Sequence, residues 1–64
     1  MKFYRVSYPP TTRMGSFEII VRAVGPNVAR TMADDAYEDA YKHDHPNARQ
    51  PYWPPHKKVK ITPL

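Results

Sequence analysis

Alternation of apolar and polar side chains marks both ends of this chain, and a four-residue rhythm marks its middle. Residues 2–8, KFYRVSY, are rich in aromatic and β-branched side chains and read as a first strand. Pro9 and Pro10 end it, because proline cannot continue a central sheet ladder. PPTTRMG has turn-forming composition. The pattern then resumes in residues 16–24, SFEIIVRAV, where Phe17, Ile19, Val21 and Ala23 alternate with Glu18, Ile20 and Arg22. Two strands with a short loop between them predict an antiparallel hairpin.

Gly25-Pro26-Asn27 changes the period from two to nearly four. Proline is favoured at a first helical position, with Asn27 as an alternative N-cap, so a helix is predicted over 26–43. Val28, Met32, Ala36 and Ala40 form one row, and Ala29, Ala33, Tyr37 and Tyr41 the next. Both rows are expected to make one apolar stripe against a sheet. Arg30–Asp34 and Glu38–Lys42 are opposite charges at i,i+4 on the other face, worth a few tenths of a kcal/mol each. Residues 46–56 are irregular. Their prolines either present an extended ligand for an aromatic groove or stiffen a lid that lays Tyr52 and Trp53 across the end of the core; the lid is favoured. A short third strand follows at 58–62, with Val59 and Ile61 alternating against Lys58, Lys60 and Thr62.

The expected fold is therefore a single α+β domain spanning 1–64, ββαβ, with a three-stranded antiparallel sheet in the order 2-1-3. A helical crossover carries the chain back, and placing strand three beside strand one makes every pairing antiparallel. One helix covers one face. Tyr4, Val6, Tyr8, Phe17, Ile19, Val21, Ala23, Val59 and Ile61 should face it. Phe3, Arg5, Ser7, Glu18, Ile20, Arg22, Lys58, Lys60 and Thr62 should face away.

Composition bears on that outer face. The chain has 64 residues, a formal net charge of +4 and no cysteine. Disulfides, thiol chemistry and cysteine-based zinc sites are excluded, and a reducing cytoplasm is the expected location. No apolar run approaches a membrane span, and no secretory leader is recognised. Five of the six acids, Asp34, Asp35, Glu38, Asp39 and Asp44, lie within one short segment, so the rest of the chain is strongly basic. No nucleophile–base pair, phosphate-cradling glycine loop or paired carboxylate in a cleft can be assembled, and a non-enzyme without cofactor is expected. His43 and His45 lack a third nearby metal ligand unless His56 folds back, so no metal is expected. Arginine with aromatic side chains is the composition of binding hot spots, and Phe3, Arg5, Ile20, Arg22, Lys58 and Lys60 are the expected partner-binding residues. The alternative surface is the acidic helix face of Asp34, Asp35, Glu38 and Asp39, as a phosphate mimic. Direct nucleic-acid binding is a further alternative. Either edge of the sheet could pair with a second copy or with a partner strand, which leaves the oligomeric state open.

KFY, SFEIIVRA leading directly into a helix, and the closing KVKITP resemble small phage-encoded host-takeover proteins, among them the host RNA polymerase inhibitors of podovirus coliphages. Some small anti-CRISPR proteins are similar in topology. The likeness spans most of the chain in pattern, while PYWPP and the longer connection from helix to last strand depart from it. It implies an inhibitor that acts by binding a host protein or nucleoprotein complex, an RNA polymerase or a CRISPR-type complex. By position it assigns the grip on an acidic surface to Lys58 and Lys60.

Overall fold

The computed structural model describes residues 1–64 and consists of β1 (Lys2–Tyr8), β2 (Phe17–Ala23), α1 (Pro26–Asp44), a single 3-10 turn (His56–Lys58) and β3 (Lys60–Pro63). β1 is the central strand and runs antiparallel to both neighbours, in the order β2-β1-β3. The hairpin pairs Lys2 with Ala23 through to Tyr8 with Phe17, and β3 pairs Lys60 with Ser7 and Pro63 with Tyr4. This is the ββαβ arrangement expected from the order of periodicities.

Pro26 opens α1 directly after Gly25, and the Ala29 N–H donates to the Gly25 carbonyl at 3.0 Å. Asn27 therefore lies within the first turn and is not the cap. At the other end the His45 N–H closes on the Tyr41 carbonyl at 2.8 Å, and the His45 ring stacks on Tyr41 with centroids 4.4 Å apart. Ala29, Ala33, Tyr37 and Tyr41 are buried, and the fully enclosed alanines let the helix backbone come close to the sheet. The expected stripe is wider than the observed contact. Val28 and Met32 remain 44% and 42% exposed, while Ala36 and Ala40 further along the same row are partly buried, so a single helix on a narrow sheet closes fully over only one of its two apolar rows.

Aromatic rings fill the space that larger aliphatic residues would take. Tyr8 of β1 lies 4.6 Å from Tyr37 of α1, centroid to centroid, and Phe17 meets Tyr37 edge-on at 5.6 Å. A buried phenol needs a partner for its hydroxyl. Tyr8 donates to Asp34 Oδ1 at 2.6 Å, and Arg30 Nε donates to the same oxygen at 2.8 Å. The Arg30 guanidinium also lies 5.7 Å from the Tyr8 ring centroid and 3.0 Å from His56 Nδ1. β1 and α1 are thus tied through the Asp34 carboxylate, and the 3-10 turn joins them through Arg30. Burial, together with the bond to Asp34, pushes the Tyr8 phenol well above its ordinary range; burial raises Tyr37 as well.

The connection from α1 to β3 packs over the core through two prolines and Trp53. Pro51 and Pro54 are its buried residues, while Tyr52 and Trp53 are half exposed. Trp53 stacks one face on Tyr37 at 5.1 Å, and Tyr52 lies under the Arg13 guanidinium at 5.5 Å. The prolines form the inner layer of the lid and the aromatics its outer layer. Downstream, the Lys58 N–H donates to Pro55 O and the Val59 N–H to His56 O. Those donors are spent inside the turn, so β3 begins at Lys60 and Lys58 lies outside the sheet, contrary to the expected strand over 58–62. The accessible surface is 4718 Å², against about 4200 Å² for a compact monomer of this mass. Dimensions of 36 × 18 × 14 Å and an uncovered sheet face account for the excess.

Two outcomes follow. Ala33→Leu forces methylenes between helix and sheet and should cost about 1–3 kcal/mol in a urea melt. Stability should also fall as pH rises above about 10. A phenol with a raised folded pKa keeps its full contribution below the unfolded value and loses it above, since the unfolded chain gives up its proton first. Melts between about pH 9 and pH 11 should show this slope, reduced in Tyr8→Phe.

Candidate functional site

The sheet face opposite α1 is uncovered. Strand alternation and the observed register place Phe3, Arg5 and Ser7 in its central row, Arg22, Ile20 and Glu18 beside them on β2, and Lys60 and Thr62 on β3. Phe3 and Ile20 are each 53% exposed. Leu64 donates its N–H to the Phe3 carbonyl at 2.9 Å, which extends the β1–β3 register by one pair and adds a third exposed apolar side chain beside Phe3. The face is thus divided along its length. The end at Phe3 is apolar, and the end at Ser7 is polar.

Its charges are partly spent. Arg5 Nε approaches Glu18 Oε1 at 3.3 Å, and Ser7 Oγ donates to Glu18 Oε2 at 3.2 Å. The Arg5 contact lacks hydrogen-bond alignment, and its Nε is shielded from solvent without another partner, so the pair is held by charge. Arg22 and Lys60 have no carboxylate within ion-pair distance. They occupy opposite edge strands, facing Phe3 and Ser7. Four residues along β1 and two strand spacings across put them about 16 Å apart. The expected cluster of four cations is therefore not one patch. Arg5 is paired, Lys58 lies in the 3-10 turn, and the two free cations flank the apolar end and the polar end separately.

The acidic helix face also thins out. Asp34 is committed to Tyr8 and Arg30, and Glu38 lies 4.0 Å from Lys42. Asp35 and Asp39 remain free of ion pairs on that face. The histidines do not converge: His45 stacks on Tyr41 while His56 meets Arg30, and no group of three potential ligands comes together. No helix is long and apolar enough to cross a membrane.

A second exposed aromatic site lies on the segment that the sequence offers either as a ligand or as a lid. Tyr52 and Trp53 are half exposed, Tyr52 under the Arg13 guanidinium and Trp53 with one face on Tyr37.

Lys58→Glu combined with Lys60→Glu should shift stability by less than about 0.5 kcal/mol in a denaturant melt, because neither side chain makes an ion pair or is buried. Compared with protein-family models, curated proteins and solved structures, the chain matches none.

Proposed function

We propose that this chain is a non-enzymatic binding protein that docks its open sheet face on an acidic protein surface. The observation that carries the reading is the coincidence, on one uncovered face, of exposed Phe3, Ile20 and Leu64 with the unpaired cations Arg22 and Lys60. Apolar anchors exclude water, and flanking cations select a partner of opposite charge. A net charge of +4 adds long-range attraction to such a partner. A protein partner suits this face better than a nucleic acid. A phosphate backbone calls for a track of cations, whereas here two free cations stand on opposite edges around an apolar centre. The resemblance to phage host-takeover proteins makes a host nucleic-acid machine, an RNA polymerase or a CRISPR-type complex, the first partner to test, with inhibition as the consequence of docking.

The test compares the unaltered chain with Phe3→Ser/Lys60→Glu and with Asp35→Lys/Asp39→Lys in binding to purified RNA polymerase and in affinity capture from a bacterial lysate. The captured protein should present an acidic surface. Its binding should fall roughly tenfold or more in the sheet-face variant and persist in the helix variant. Loss in the helix variant alone would transfer the function to the acidic face. Retardation of nucleic acid in low salt by the chain alone would replace the reading with direct nucleic-acid binding.

A further inference from the structure

The two edges of the sheet differ in what they leave unpaired. Leu64 donates to Phe3, and in an antiparallel ladder such bonds join directly opposed residues. The Phe3 backbone groups therefore point toward β3, and those of Lys2, Tyr4, Val6 and Tyr8 point toward β2. It follows that Phe17, Ile19, Val21 and Ala23 bond to β1, whereas Glu18, Ile20 and Arg22 turn their N–H and C=O groups to the free edge of β2. On the free edge of β3 the corresponding positions are Ile61 and Pro63, and Pro63 has no N–H. β3 is short and closed by proline. β2 is longer, contains no proline and is open, which is the kind of edge that recruits another strand.

We propose that the occupant of this edge is a second copy of the chain, paired antiparallel through β2 about a two-fold axis at Ile20. Three observations converge on it. In that register Ile20 faces Ile20 of the second copy, and Glu18 and Arg22 face each other reciprocally, all on the same side of the sheet. A parallel in-register pairing would set Glu18 against Glu18, and a two-residue slip would lose the charge match, so the sequence selects this one register. The second observation is the helix. α1 packs chiefly on β2, and its Arg30–Asp34 flank faces Tyr8 of β1 and the turn before β3. Its opposite flank, with exposed Val28 and Met32, therefore overhangs the free edge. Six residues of helix and three of strand cover similar lengths, about 9 and 10 Å, so Met32 stands about level with Ile20 and the axis. The third is space. α1 also touches β1 and β3, so its axis sits inboard of the edge and leaves room for α1 of the second copy at about 8–10 Å.

The product is a closed six-stranded sheet ending in β3 at both sides, where Pro63 stops further growth. The row of Val28 and Met32, left bare in one copy, is covered by its equivalent. The two open faces join into one platform on which Lys60 of each copy stays free while Arg22 is paired with Glu18 of the second copy, and the pairing does not depend on any docking partner.

Sedimentation equilibrium of the purified chain tests this in the absence of any other protein. The mass should rise with concentration from 7.5 kDa toward twice that value, and a constant 7.5 kDa up to about 1 mM overturns the proposal. Glu18→Arg and Arg22→Glu should each weaken association roughly tenfold or more by placing like charges opposite one another. The double exchange should restore it; failure to restore it, with the fold intact by circular dichroism, also overturns the register. Because the chain has no cysteine, Ile20→Cys reports the axis directly. Opposed Cα atoms about 5.5 Å apart allow a disulfide, so mild oxidation should cross-link this variant. Thr62→Cys, on the far strand, should remain monomeric on denaturing gels. Equal cross-linking of the two would overturn the proposal.

Discussion

The fold depends on a column of aromatic rings that joins three separate parts of the chain. Tyr8 from the central strand packs at a tilt on Tyr37 from the helix, and Trp53 from the proline-rich connection stacks on Tyr37 in turn. A chain of 64 residues without disulfides has little aliphatic material for a core. Large rings give the most buried area per residue, but tyrosine brings a hydroxyl that is costly to bury unpaired. The Asp34 carboxylate resolves this for Tyr8 and, through Arg30, extends the tie to His56. The same requirement explains why one acid of the helix is turned toward the sheet rather than displayed with its neighbours.

Size also sets what is left uncovered. One helix of 19 residues covers one face of three strands and closes over one of its own two apolar rows. The other sheet face, the β2 edge and the row of Val28 and Met32 remain open for the same reason: there is no second helix. Seven of the nine exposed large apolar side chains lie at these places and at the outer layer of the lid, with Met1 and Val24 the other two. Isolated, each is ordinary for a protein surface. Their grouping along one sheet face and one edge is the feature on which the proposed docking and pairing rest.

The legibility of the structure varied with the range of the interactions involved. The hairpin, the helix and the strand order were readable because period-two and period-four patterns are local, and a helical crossover leaves few topologies. The inward and outward sets of β1 and β2 were readable for the same reason. Lys58 was misplaced because alternation continues through HKKVKIT, whereas Pro55 and His56 capture the N–H groups of Lys58 and Val59 in a turn. The basic cluster on the open face was overestimated because pairing across strands, Arg5 with Glu18, is not visible in a list of charges. In PYWPP, Pro51 and Pro54 are buried while Trp53 stacks one face on Tyr37 and stays half exposed, a division of burial that the run of prolines and rings does not reveal.

The sequence by itself determined the α+β class, the antiparallel order of the strands, the side on which each residue of the hairpin stands and the one-helix limit, since all of these follow from periodicity and chain length. Only the tertiary structure decided which charges are free, which apolar helix row is bare and which sheet edge offers its backbone. Those depend on the phase of the hydrogen-bond ladder and on the direction in which the helix leans over the sheet. Neither is encoded in a local pattern, because both are set by contacts among residues far apart in the chain, with Tyr8, Asp34 and His56 foremost among them.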